Sequence, residues 1–180
     1  MKFFHIRDEI LDPIRTKIIE LEKEIQELVE KNLEKVLGLE FVSGYSNREF
    51  SVNNLRLDTL AFDPINKSFV IIEYKKFKQA GVIDQGLTYL YLLLRNKAEA
   101  ILEYNQRRNK ALKVEDVNWD YSRVVIIANS FSKYQKIAVN FKDLPIELWE
   151  AKFLSNEIMV LNKLKPHCLN KKMVLSLRDI

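Results

Sequence analysis

The sequence predicts an α/β fold, and three observations carry that reading. Across residues 13–37 the apolar side chains Ile18, Leu21, Ile25, Leu28, Val29, Leu33 and Val36 recur at threes and fours, the spacing of a helix with one buried face. Segments 56–62 and 68–75 are rich in β-branched, aromatic and aliphatic residues and flank Asp63-Pro64-Ile65-Asn66-Lys67, which has the chemistry of a turn. Residues 124–128 form an unbroken apolar run of strand length, as a strand covered on both faces requires.

Each element follows in order. The first helix carries Glu20, Glu22, Glu24, Glu27, Glu30 and Glu34 among Lys23, Lys31 and Lys35, mostly a solvated face laced by ion pairs. The hairpin comes next, then a basic loop, then a strongly apolar helix over 82–94, then the strand at 123–128. A helix from about 130 to 140, capped by Ser130 or Ser132, precedes strands at 146–153 and 158–161. No linker, repeat or low-complexity stretch interrupts the chain. Residues 1–180 therefore read as one domain, with 129–180 a C-terminal extension of the same sheet and a basic tail from 163 onward. At 180 residues and 47% hydrophobic content the chain suits one core and is small for two.

The hairpin register can be counted. With the turn centred between Ile65 and Asn66, facing residues pair Phe62 with Phe69 and Asp58 with Glu73. Side chains alternate between faces along a strand, so Asp58, Leu60, Phe62, Phe69, Ile71, Glu73 and Lys75 all project to one side. Directly opposed residues stand about 5 Å apart, where like charges destabilise the pair. A hard divalent cation offsets that repulsion, because it prefers carboxylate oxygens and is commonly held by one or two of them. The plainer alternative leaves Asp58 in water at a strand end and Glu73 paired with Lys75. On the following helix, Gln85 and Tyr89 lie four apart and share a face. Their polar atoms need partners, from the backbone or from a phosphate or water near the hairpin.

Taken together, Asp58, fourteen intervening residues, Glu73-Tyr74-Lys75, and then Gln85 with Tyr89 resemble the PD-(D/E)XK nuclease superfamily, the restriction-endonuclease-like fold. Within it the likeness is nearest to archaeal-type structure-specific DNA endonucleases, whose signature continues into a Gln-x-x-x-Tyr helix. Leu57 stands where the family name has Pro. The resemblance implies an αβββαβ core with a mixed central sheet flanked by helices, and Mg²⁺- or Mn²⁺-dependent hydrolysis of phosphodiester bonds in DNA. It implies that Asp58 and Glu73 bind the metal, that the backbone carbonyl of Tyr74 is a further ligand, and that Lys75 assists the attacking water. Gln85 and Tyr89 would position water or phosphate. It also implies an acid on the first helix, for which Glu24 is the choice and Glu27 the runner-up. Lys76, Lys78, Arg107 and Arg108 would contact backbone phosphates, although a run of charge is more often a solvated surface. Family members often pair to cut both strands, so the resemblance admits a homodimer, for which no self-complementary patch is visible.

Composition narrows the field. Net charge is +4 with a pI near 9.0, compatible with a polyanionic partner because Lys and Arg contacts to phosphate dominate non-specific affinity. Only four Gly occur and none builds a nucleotide-binding loop. His5 and His167 lack metal-ligand spacing, and Cys168 is the single cysteine, which excludes an intramolecular disulfide and a cysteine zinc cluster. Trp119 and Trp149 read as packing residues. Charge arrives too early at the start for a signal-peptide core, and the longest apolar run is too short to span a bilayer, so a cytoplasmic protein without membrane contact is expected. Two other functions stay in view: a non-cleaving nucleic-acid-binding module of the same fold, and a protein-interaction α/β domain.

Overall fold

The computed structural model describes residues 2–17, 22–45, 50–52, 55–76, 79–141, 143–155 and 157–165. The chain opens with a hairpin of β1 (Phe4–Arg7) and β2 (Ile10–Pro13), then β3 (Thr16–Lys17). Helices α1 (Glu22–Lys31) and α2 (Leu33–Leu37) follow, then β4 (Glu40–Gly44) and a small hairpin of β5 (Ser51–Val52) and β6 (Leu55–Arg56). The central hairpin is β7 (Thr59–Asp63) and β8 (Ser68–Lys75), leading to α3 (Val82–Arg95) and α4 (Lys97–Arg108). Last come β9 (Arg123–Ala128), α5 (Lys133–Ala138), β10 (Ile146–Leu154) and β11 (Ile158–Lys163).

The main sheet runs β11-β10-β9-β8-β7-β4, with β3 beside the end of β10. Strands β4, β7 and β8 form an antiparallel meander, β8, β9 and β10 run parallel, and β11 turns back antiparallel. Leaving aside α2, α4 and the short β5–β6 hairpin, the order α1, β4, β7, β8, α3, β9 is the predicted αβββαβ core, and the sheet is mixed as expected.

Register and face follow from packing. Thr59 pairs with Ile72 and Phe62 with Phe69, the pairing counted from the turn. Leu60, Phe62, Phe69, Ile71, Val124 and Ile126 lie under α3 and α4 with Leu90, Leu93, Ile101 and Tyr104. Ala61, Val70, Ile72, Tyr74, Val125 and Ile127 lie under α1 and α2 with Ile25, Val29 and Leu33. Every residue of β7 and β8 is buried. Each fully buried aliphatic or aromatic side chain contributes about 1.5–3 kcal/mol, and a one-residue slip would exchange the two faces. Gly86 lets α3 close on the sheet, since a Cβ there would stand 3.1 Å from Val124 Cγ1.

The first 37 residues depart from expectation. Instead of one helix over 13–37, Pro13 ends β2, and the described helix runs over Glu22–Lys31 and is interrupted at Asn32 before α2. Asp8 and Glu9 both have positive φ, the backbone of a tight two-residue hairpin loop, so Ile10 and Leu11 pair as strand. Pro13 cannot supply a ladder N–H, which suits the end of an isolated ribbon. Of the first stripe, Ile25, Val29 and Leu33 are buried while Leu28 is exposed; Ile18 and Leu21 lie outside the described residues. Helix α5 is shorter than expected, and Ser132 is its cap: the hydroxyl accepts from Gln135 N–H at 3.2 Å while Gln135 Oε1 accepts from Ser132 N–H at 2.8 Å. Strands β9, β10 and β11 fall where they were expected.

Candidate active site

Asp58 stands one residue before β7, facing the end of β8 where Glu73 and Lys75 project from the same side. Glu73 is fully buried and Lys75 is 8% exposed. The Lys75 ammonium lies 3.5 Å from Glu73 Oε2, while Glu73 Oε1 has no hydrogen-bond partner among the described residues. One oxygen of Asp58, Oδ2, accepts the Tyr74 backbone N–H at 3.0 Å, and the Asp58 and Glu73 carboxyl groups come within hydrogen-bonding reach of each other.

Their electrostatics are adverse. Burial, with the Asp58 charge second, pushes the Glu73 carboxyl up to about 8, and burial likewise raises Asp58. Two unscreened like charges roughly 4 Å apart repel by about 4 kcal/mol at an effective dielectric of 20. One ammonium at 3.5 Å therefore does not settle the pair; a proton or a second cation does. An orphaned buried carboxylate oxygen facing a second carboxylate is a hard oxygen donor set, which fits Mg²⁺ or Mn²⁺. Among the described residues no group of three or more His, Cys, Asp and Glu side chains converges on one point, so the only side-chain acids this position offers are the pair itself.

The remaining expected residues divide. Gln85 Nε2 donates to Tyr89 Oη at 2.9 Å, and Tyr89 packs in the apolar layer of the face from which Glu73 projects. The Tyr74 side chain is buried in the opposite layer, leaving only its backbone on the site. Glu24 is exposed in the first turn of α1, two residues and so about 200° away from the face that meets the site. The first-helix acid found there is Glu22, whose Oε1 accepts the Lys76 N–H at 2.9 Å and whose charge helps to raise Asp58. Glu27, the runner-up, lies within 4.0 Å of Lys23 and Lys31 on the outer face.

Arg107 and Arg108 are not brought to the site. Arg107 Nε donates to the Val42 carbonyl at 3.0 Å, and Arg108 sits 3.3 Å from Glu34 and 3.5 Å from Glu40. Glu40 pairs with Phe62, at the far end of β7 from Asp58, roughly four residues or 13 Å along the strand. Lys78 lies outside the described residues. Sequence reasoning missed two buried polar residues beside the site, Gln26 and Glu30. They extend the Ile25/Val29 face by one helical step, a pattern the sequence did contain.

No protein-family model matches the chain. An uncharacterized protein of Haemophilus influenzae is 45% identical over 162 residues, covering 90% of this chain and 52% of that protein; the chain spans about half the length of this curated relative. The EndoMS–dsDNA2 complex aligns with a TM-score of 0.49 at 16% identity, over 74% of this chain and 47% of the other. A repair endonuclease from Pyrococcus abyssi aligns with a TM-score of 0.44 at 18% identity, over 79% and 55%. No helix among the described residues is long and apolar enough to cross a membrane. The chain's own element order is the αβββαβ arrangement around a mixed sheet that the sequence led us to expect, with two acids and a lysine at the adjoining ends of the second and third strands of its meander.

Proposed function

We propose that this chain hydrolyses phosphodiester bonds in DNA with a divalent cation, Mg²⁺ or Mn²⁺, held by Asp58 and Glu73 and by the Tyr74 backbone carbonyl. The observation that carries the reading is the buried Glu73 carboxylate, with one oxygen orphaned and the other beside Lys75, set against Asp58. A purely structural pair of acids would be matched by donors on both oxygens.

When bound, such a cation polarises a phosphoryl oxygen and lowers the pKa of a coordinated water. Lys75 orients the attacking water and offsets the negative charge that gathers on phosphorus, a task suited to a compact ammonium. The Gln85–Tyr89 pair, held by its own 2.9 Å bond, presents a fixed amide and phenol to the water or the DNA backbone. Glu22 takes the first-helix role in place of Glu24, and Lys76 and Lys78 steer the strand into the site.

The test incubates wild type and Asp58→Asn with linear duplex, branched and single-stranded DNA, in Mn²⁺ or in EDTA. Wild type cuts at least one form only with metal, and the variant does not. Cleavage by Asp58→Asn at the wild-type rate would end the assignment.

A further inference from the structure

Glu22, Gln26 and Glu30 fall at intervals of four along α1 and form one polar stripe that meets the start of β7. Glu30 is the unusual member. It is 5% exposed and sits in the last turn of its helix, where the helix dipole disfavours an acid. Three donors converge on its Oε1: Gln26 Nε2 at 2.9 Å, Thr59 Oγ1 at 2.5 Å and the Tyr45 backbone N–H at 3.1 Å. Hydrogen bonds to an ionised acceptor are shorter and stronger than neutral ones, so this oxygen ties α1, the end of β4 and the start of β7 together.

The tie reaches Asp58. Gln26 Nε2 also donates to the Asp58 backbone carbonyl at 2.7 Å, and the residue that follows, Thr59, is bound to Glu30 directly. Asp58 lies outside the β7 ladder, so sheet pairing alone does not fix where it stands. Its position is set by Leu57 N–H on the Phe50 carbonyl at 3.0 Å, by Tyr74 N–H on its own carboxylate, and by the Gln26–Glu30 unit. The backbone has been cleared for that unit. A Cβ at Gly44 would collide with Glu30 Oε1, and Gly44 is not among the residues of positive φ, so space rather than conformation demands glycine there.

We propose that Glu30 is a positioning residue of the site, acting through Gln26 and Thr59 to hold Asp58 against Glu73 and thereby setting the affinity of the pair for a divalent cation. This rests on the proposed cation site and adds to it a residue that touches neither cation nor substrate. Groups that orient ligands in this way typically change metal affinity by about 10–100-fold.

The experiment titrates Mn²⁺ alone into the 180-residue chain by calorimetry, for wild type, Glu30→Gln, Gln26→Leu and Val29→Ala, with circular dichroism and thermal midpoints recorded for each. Gln26→Leu removes the bond to Asp58 and spares the Glu30 bonds to Thr59 and Tyr45. Val29→Ala lowers stability from the same helix without touching the stripe. Both stripe variants are expected to weaken Mn²⁺ binding at least tenfold while Val29→Ala binds as wild type does. Folded stripe variants whose isotherms superimpose on wild type would overturn the proposal and leave Glu30 a structural staple. If Glu30→Gln does not fold, Gln26→Leu decides alone. No Mn²⁺ binding by wild type overturns both this inference and the cation site. Weakened binding in the variants with no DNA cut by wild type sustains the positioning role and ends the nuclease reading.

Discussion

The two ends of the central strands carry similar charges and treat them oppositely. At the far end Asp63 accepts Ile65 and Asn66 backbone N–H groups and the Asn66 side chain at 2.8–3.0 Å, and Arg123 lies 3.0 Å from Asp63 and 3.1 Å from Glu147. Lys163 adds a contact to Glu147 at 2.9 Å. Burial alone would raise both acids, yet the Asn66 bonds and Arg123 hold Asp63 below its usual range, and Lys163 and Arg123 do the same for Glu147. At the near end burial wins, and Asp58 and Glu73 are both raised. One sheet thus closes its charges at one end and leaves them open at the other. The open end is where a cation or a substrate phosphate has something to complete.

The largest expected effect is on chemistry. Lys75→Met leaves both carboxylates in place and removes the ammonium 3.5 Å from Glu73, and Mn²⁺-dependent turnover should drop by about 10²–10³-fold, the range seen when one transition-state charge partner is lost. Single-turnover cleavage at saturating Mn²⁺ reads this, and a wild-type rate would place the chemistry elsewhere. At the closed end Arg123→Met strips two acids of a shared cation and should cost about 2 kcal/mol in urea unfolding, below the full penalty of a wholly buried pair because Arg123 is partly exposed. Mn²⁺ affinity should not change.

The two ends should also respond to pH with opposite signs. Between the ordinary carboxylate value of 4.5 and about 8, folded Glu73 holds a proton that the unfolded chain has released. The metal-free protein therefore keeps that stability below pH 4.5 and loses it as pH rises through 8. Asp63 and Glu147 are lowered, so their contribution is present above their ordinary values and is lost as pH falls. Thermal midpoints in EDTA across pH 3–9 should show Glu73→Gln flattening the alkaline side alone and Glu147→Gln the acid side alone. Matching slopes in the two variants would erase the distinction between the ends. The smallest effect belongs to Arg108→Gln, an exposed pair worth at most about 1 kcal/mol. Its affinity for DNA should match wild type, and a several-fold loss would return Arg108 to the binding surface.

How much of this was legible depends on the source of each constraint. Turn chemistry at Asp63-Pro64-Ile65-Asn66-Lys67 and strict alternation fixed the hairpin register from Thr59–Ile72 to Phe62–Phe69, because both are local properties of the chain, whereas Asp58, one residue outside that ladder, is held toward Glu73 by non-local bonds as well. The first-helix acid was not legible. Choosing between Glu22 and Glu24 required the phase of the helix, and the apolar spacing read over 13–37 runs through Pro13, which ends β2 instead of opening a helix. The role of Arg108 was hidden for a different reason: its partners Glu34 and Glu40 lie 74 and 68 residues away in sequence, and only the packed α4 brings them together. Glu30 read as one of the mostly solvated acids of the first helix, and burial shows that it takes the inner side together with Gln26.

Asp58 and Glu73 are proposed to meet in order to share a cation. Crystals grown in Mn²⁺ and measured at the manganese absorption edge test it most directly. A shared cation gives one strong anomalous peak beside the Asp58 and Glu73 carboxylates. A map with no peak there, and the two carboxyl groups bonded to each other through a proton, would contradict it.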